Sequence, residues 1–266
     1  MKPLDGEMRD LLQFAAQRAI LPRYRNLADT DIEEKSQGDP VTIADRETEQ
    51  FLREALHTLA PDIAFVGEEA AHADPSILDN LSGPCWIVDP VDGTHNFAQG
   101  RPPFGIIVAL ADAGEVIAGW IFDPLQDRLC HARRGEGAFI NGERIHAKTT
   151  DVSPPVVAVS TLFTTPLQQE SLKTHIFPHY TIVDIPRCAA EQYPRLALGE
   201  NDVSLFERTL PWDHGAGVLW LNEAGGKAAR PDGSPYKVSE VNRTGLIGAS
   251  SPQLWEDMAN RIVKMR

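Results

Sequence analysis

Residues 86–97, read as Trp86-Ile87-Val88-Asp89-Pro90-Val91-Asp92-Gly93-Thr94-His95-Asn96-Phe97, decide the fold of this chain. Three apolar residues with strand character run into two aspartates three positions apart, and Gly93 and Thr94 then open a short helix. Pro90 fixes its own φ and lacks a backbone donor, so Asp89 to Asp92 reads as a tight bend rather than a continued ladder. Such a bend brings both carboxylates and the Val91 carbonyl toward one point. Hard oxygen donors of this kind suit Mg²⁺, Mn²⁺ or Ca²⁺, whereas zinc more often recruits His or Cys. Gly93 allows close backbone approach to a ligand, and Thr94 lies where an N-cap hydroxyl and free N–H groups meet an anion. An isolated Asp-Gly pair is ordinarily a surface turn. Here the apolar lead-in and Thr94 favour a site.

Outward from this stretch, composition sets bounds. A chain of 266 residues, 42% hydrophobic and 24% charged, is long enough for one large domain or two lobes sharing a core. Its formal net charge of -13 opposes direct binding to nucleic acid or an anionic membrane. Cys85, Cys130 and Cys188 are widely spaced with no C-x-x-C pair, as expected of reduced buried thiols. Charges interrupt the opening MKPLDGEMRD and the apolar run Gly105 to Phe122, so neither a secretory signal nor a membrane span is expected and a cytoplasmic protein follows.

Met8, Leu11, Leu12, Ala15, Ala16 and Ala19 have helical spacing, ended or kinked by Pro22. DTDIEEKSQGDP, residues 29–40, is polar and reads as a mobile loop in which Lys35 is solvated or reaches a phosphate. Thr42 is a plausible N-cap for a helix bearing Phe51, Leu52, Ala55, Leu56 and Leu59, which makes Asp45 a capping-box acid by local physics. Ile63 to Val66 reads as a strand ending at Gly67, Glu68 and Glu69. From Gly105 to Ile145, strands divided by turn signals form an antiparallel meander. Beyond the Pro154-Pro155 pair, strands at Val156 to Ser160, Thr181 to Ile185, Val203 to Phe206 and Gly245 to Ala249 alternate with helices at Leu167 to Phe177, Glu191 to Leu198, Asp213 to Ala224 and Pro252 to Met265. Two lobes are expected, 1–153 and 154–266, packed as one unit. Asp213 near a helix start is stabilised by the dipole with or without a metal. His95 and His214 flank these acids without a metal-binding spacing, so supporting or surface roles are expected of them.

GEE at 67–69, WIVDPVDGTHNF at 86–97, and PWDHGAG with NEAGG within 211–226 together resemble the inositol monophosphatase family of metal-dependent phosphatases. The resemblance implies a layered α/β/α/β/α sandwich, commonly a homodimer. It implies that Glu68, Asp89 and the Val91 carbonyl hold a first Mg²⁺, and that Asp89, Asp92 and Asp213 hold a second. A third, weaker ion is implied at Glu68. Asp45 and Thr94 match the pair that activates the attacking water, Gly93 and Thr94 match backbone phosphate contacts, and Asp92 and Glu207 match substrate-side positions. Arg187-Cys188-Ala189-Ala190 departs from the Gly-Ser-Ala-Ala stretch that relatives carry near the substrate ring.

A phosphate dianion would be rejected by so acidic a site without metals. The substrate implied is a small polyol phosphate, myo-inositol 1-phosphate first, because inositol- and sugar-type members usually carry an Asn-Phe ending and this chain reads His95-Asn96-Phe97. Histidinol phosphate and 3′-phosphoadenosine 5′-phosphate are the alternatives, with Arg187 able to supply a further positive charge. A different class of function, association with the transcription machinery, is known for some bacterial members.

Overall fold

The computed structural model describes residues 5–36 and 39–263. Helix α1 (Asp5–Ala15) runs into a π-helical turn at Ala16–Ile20. An antiparallel hairpin of β1 (Ile32–Ser36) and β2 (Asp39–Thr42) follows, then α2 (Ile43–Leu59). The hairpin replaces the expected loop; Gln37 and Gly38 of that segment lie outside the described residues. Next come β3 (Ala64–Gly67), α3 (Glu68–Ala73), β4 (Cys85–Asp92), α4 (Thr94–Ala98), β5 (Gly105–Asp112), β6 (Glu115–Asp123), β7 (Arg128–Arg133), β8 (Gly137–Ile140) and β9 (Glu143–Ile145). The rest is β10 (Val156–Val159), α5 (Pro166–His175), β11 (Thr181–Val183), α6 (Ala189–Leu198), β12 (Val203–Phe206), α7 (Pro211–Glu223), β13 (Lys227–Ala229), β14 (Leu246–Ala249) and α8 (Pro252–Val263). The expected extension of the last helix to Met265 lies outside the described residues.

Strands β3 to β9 form a seven-stranded sheet in sequence order, parallel only between β3 and β4. The meander is therefore as expected, with β9 added where Asn141-Gly142 turns the chain back. A second sheet has the order β11-β10-β12-β14-β13. Strand alternation sends Trp86 and Val88 to one face, against Leu12 of α1 and Leu52 and Leu56 of α2. Ile87 points to the other face, into a cluster with Tyr193 of α6 and Trp212 and Trp220 of α7. In the second sheet, Phe206 and Leu246 join that cluster, while Leu205 and Ile247 face Leu172 of α5 and Trp255 and Met258 of α8. The layers are thus helices, sheet, helices, sheet, helices, the α/β/α/β/α sandwich that the resemblance implies.

Helix α7 lies between the two sheets, which explains why it is apolar all round. Small residues set its distance from its neighbours. A Cβ on Gly119 of β6 would come 2.9 Å from the Ala216 Cα, and one on Gly217 would come 2.1 Å from the ring of fully buried Tyr193. Gly217→Ala should therefore cost about 1–3 kcal/mol through overpacking, despite up to about 1 kcal/mol of better helix propensity. Urea titration should show a lower midpoint at unchanged slope; a midpoint at or above that of the wild type would contradict this packing.

Candidate active site

Register brings the first acids together. Parallel pairing of β3 on β4 matches Gly67 with Val88, so the next residue on each strand path, Glu68 and Asp89, falls side by side where β3 ends. Pairing of β4 with β5 passes from Asp89↔Ile107 to Asp92↔Gly105, three steps on β4 against two on β5. Pro90 and Val91 thus sit in a bulge within a continuing strand, which corrects the expected bend: a bulge lets the ladder resume beyond the residue that lacks an N–H. The Val91 N–H donates to Asp89 Oδ1 at 3.1 Å. Gly93 then turns with φ 83°, where a Cβ would also come 2.8 Å from the Pro103 carbonyl. Gly93, not Thr94, is the N-cap of α4.

Asp213 enters from the first turn of α7, and donor oxygens of Glu68, Asp89 and Asp213 all lie within 4.8 Å of one another. Three carboxylates so disposed fit a hard divalent cation. Their electrostatics agree: burial, then repulsion from Glu68, Asp92, Asp213 and Asp45, pushes Asp89 well above the usual carboxylate range. The Val91 carbonyl accepts the Thr94 hydroxyl at 2.8 Å and retains a second lone pair. Asp92 lines the same cleft, with Oδ2 accepting from the Ala190 N–H at 2.6 Å and the Cys188 thiol at 3.0 Å. Burial raises Asp92 to about 6, although the Ala190 and Cys188 donors oppose the shift. The Arg187–Ala190 departure is therefore where α6 closes over Asp92.

Asp45 divides its two oxygens. Oδ2 accepts from Thr42 N at 2.8 Å and Thr42 Oγ1 at 2.5 Å, completing the capping box of α2, while Oδ1 lies 3.1 Å from Thr94 Oγ1. Capping α2 and contacting Thr94 are thus compatible in one side chain, although Asp45 itself is buried and does not line the cleft. Burial pushes Asp45 up to about 7.

A cleft of about 450 Å³ contains Glu68, Asp89, Asp92, Thr94, Glu207 and Asp213. Glu207 is held by Gln168 Nε2 at 3.0 Å. Of His95-Asn96-Phe97 only His95 lines the cleft; Asn96 Nδ2 donates to the Pro103 and Pro186 carbonyls and Phe97 is fully buried. Lys35 is neither solvated nor free for a phosphate: its ammonium is 2.7 Å from Glu68 and 2.6 Å from Glu69, with the side chain 5% exposed. Burial alone would lower its pKa, but the two carboxylates hold it above the usual lysine range. His214 is a buried residue, not a surface one, and burial lowers it to about 3. As a neutral ring it accepts from Tyr193 OH at Nδ1 (2.8 Å) and donates from Nε2 to the Arg208 carbonyl (3.2 Å).

Two contributors escaped the sequence reading. Arg208, stacked 4.1 Å from the Phe163 ring centroid, brings its guanidinium to 3.9 Å from Asp213. Glu49, one helical turn after Asp45, accepts the Glu69 N–H at 2.8 Å and the Ala70 N–H at 3.0 Å. Its only sequence signal is the four-residue spacing from Asp45.

The model of the inositol monophosphatase family matches residues 7–265. The chain belongs to that family. Inositol-1-monophosphatase of Bacillus subtilis (strain 168) is 31% identical over 224 residues, 83% of each chain. Nus factor SuhB of Pasteurella multocida (strain Pm70) is 28% identical over 254 residues, covering 93% of this chain and 91% of that one. The crystal structure of extragenic suppressor protein suhB from Bartonella henselae superposes with a TM-score of 0.80 at 26% identity, over 97% of this chain and 98% of that one. Members of the inositol monophosphatase family are metal-dependent phosphatases, and this chain is an enzyme of that kind. Among the described residues no helix is long and apolar enough to cross a membrane.

The raised carboxylates make metal-free stability fall with pH. Asp45 and Glu49 stand at about 7 and Asp92 at about 6, against reference values of 3.8 for aspartate and 4.5 for glutamate. Between those limits these three groups bind more protons in the folded chain than in the unfolded one, so their stability is full below the unfolded values and lost as pH rises through the folded ones, and together they outweigh the single buried His214, which acts oppositely below its reference value of 6.5. After EDTA treatment the melting temperature should drop from about pH 5 to about pH 8, and Mg²⁺ should raise it more at the upper pH. A rising or flat EDTA profile would contradict the upward shift that burial gives Asp45, Glu49 and Asp92.

Proposed function

We propose that the chain is a Mg²⁺-dependent phosphomonoesterase acting on a small polyol phosphate, with myo-inositol 1-phosphate as its first candidate. The observation that carries the metal-dependent reading is the convergence of Glu68, Asp89 and Asp213 oxygens within 4.8 Å. In this reading Glu68, Asp89 and the Val91 carbonyl hold one ion and Asp89, Asp92 and Asp213 a second, with Glu68 serving a weaker third. Such ions, when bound, neutralise the phosphate charge and activate water for in-line attack. The protein's own part is placement. Thr94 Oγ1 and Asp45 Oδ1, 3.1 Å apart beside the acids, orient the attacking water, and Asp45 takes its proton. Gly93 and Thr94 offer backbone N–H groups to the phosphate at the start of α4. Glu207 accepts from hydroxyls of the alcohol. The acidic wall disfavours an unaccompanied phosphate, which couples substrate entry to charge neutralisation. The same reading includes a cytoplasmic homodimer of two lobes, 1–153 and 154–266, which sedimentation and limited proteolysis can check.

Because Asn96 and Phe97 do not line the cleft, the polyol reading is supported by Glu207, whose carboxylate suits hydroxyl donors. Arg187 and Arg208 also line the cleft, so a nucleotide is the informative competitor. Comparison of kcat/KM at one Mg²⁺ concentration should rank myo-inositol 1-phosphate above histidinol phosphate and 3′-phosphoadenosine 5′-phosphate. Preference for the nucleotide would replace the polyol; no Mg²⁺-dependent release from any phosphomonoester would remove the catalytic reading itself.

Two substitutions separate chemistry from folding. Asp89→Asn should reduce turnover by orders of magnitude while leaving the metal-free melting temperature equal or higher, since it relieves like-charge repulsion. Near-normal turnover at saturating Mg²⁺ would refute Asp89 as a shared ligand. Asp45→Ala should lose about 0.5–2 kcal/mol with the capping box and, in addition, about 10²–10⁴-fold in kcat with the base. Thr94→Ala, at a position that is not an N-cap, should depress kcat with little effect on stability. If either variant retained wild-type kcat, the water-activating pair would be misassigned.

A further inference from the structure

Helix α3 begins at Glu68, the acid placed above among the metal ligands, and its first turn has no cap of its own. Gly67 is the N-cap residue and has no side chain to accept the free N–H groups. Those donors are satisfied from another helix. Glu49 on α2 sends Oε2 to the Glu69 N–H and Oε1 to the Ala70 N–H, and its side chain is only 5% exposed. Space for this carboxylate exists because residue 67 is glycine: a Cβ there would lie 2.2 Å from Glu49 Oε2, although the Gly67 φ of -99° is open to any residue. The glycine therefore answers to the side chains packed on it, the Glu49 carboxylate first and the Phe65 ring at 2.8 Å second, not to the backbone.

Asp45 and Glu49 are one turn apart on α2 and point to the same side. Asp45 reaches Thr94 on α4, while Glu49 grips the backbone that carries Glu68. One rigid helix thereby spaces the water-orienting pair from a metal ligand. We infer that Glu49 is a positioning residue, which fixes the Glu68 carboxylate for metal binding by capping α3 from α2. The inference rests on the proposed role of Glu68.

Mn²⁺ binding to the full chain without substrate, followed by the electron paramagnetic resonance of the free ion, gives a readout independent of turnover. Glu49→Ala should weaken Mn²⁺ binding by about 10–100-fold, as loss of an outer support does at other metal sites. Glu49→Gln, which keeps one acceptor oxygen, should fall between Ala and wild type. Arg53→Ala, which removes the 3.4 Å ion pair to Glu49 but not the cap, should bind Mn²⁺ as the wild type does. In turnover assays the half-saturating Mg²⁺ concentration should rise in the same order, by more than the substrate KM. Glu49→Gln and Glu49→Ala that melt earlier yet bind Mn²⁺ normally would overturn the inference and leave Glu49 a stability residue. Should Glu49→Ala not fold, Glu49→Gln decides alone. Absence of Mn²⁺ binding by the wild type would instead remove the metal site, so the two failures are distinguishable.

Discussion

Asp89 is a carboxylate at 2% exposure with Glu68, Asp92, Asp213 and Asp45 around it, and unfavourable charge is the constraint to which the rest of the molecule answers. Burying one unpaired carboxylate is costly, and several in one place repel each other in a medium that screens poorly. The chain compensates through donors from helix starts. Thr42 N at α2 serves Asp45, Ala190 N at α6 serves Asp92, and Glu69 N and Ala70 N at α3 serve Glu49. Asp213 lies in the first turn of α7. Each helix also turns the positive end of its dipole toward the acids. Lys35 adds the buried cation nearest to Glu68 among the described ion pairs.

This convergence explains why the fold needs two sheets with helices between them. Helices α6 and α7 carry the Asp92 cap and Asp213, and both must reach the end of β4. They do so because α7 lies in the middle layer, apolar on every side, at distances set by Gly119, Ala216 and Gly217. Gly217 lies one helical turn from Asp213, so the packing that places the helix also places the acid. The site is a property of the layer geometry as much as of its own residues.

Several site residues hold two tasks at once, which makes local and functional readings agree rather than compete. Asp45 is both the capping acid of α2 and the neighbour of Thr94, one oxygen for each. Asp92 both faces the cleft and closes α6 onto β4. Asn96 shows the reverse division: it belongs to the motif of residues 86–97, yet its amide ties Pro103 to Pro186, the residue before Arg187 of the cleft wall. Motif membership identified a constellation without separating contact from support.

The sequence by itself determined whatever depends on neighbours along the chain. The apolar run Trp86-Ile87-Val88 foretold a buried strand, Asn141-Gly142 a hairpin turn, Thr42 with Asp45 a capping box, and the spacing of Asp89, Asp92 and Gly93 an oxygen-rich site, because each signal acts over a few residues through φ, ψ and local hydrogen bonds. What only the tertiary structure decided was which distant segments meet. The parallel register of β3 on β4 that sets Glu68 beside Asp89, the bulge at Pro90, the pairing of Lys35 with Glu68 and Glu69, and the reach of Glu49 into α3 all depend on partners contributed by other elements. Polar segments such as 29–40 carry no period that distinguishes a loop from a hairpin. Their conformation is settled by buried charge pairing and ladder hydrogen bonds, whose free energy exists only once the layers have assembled.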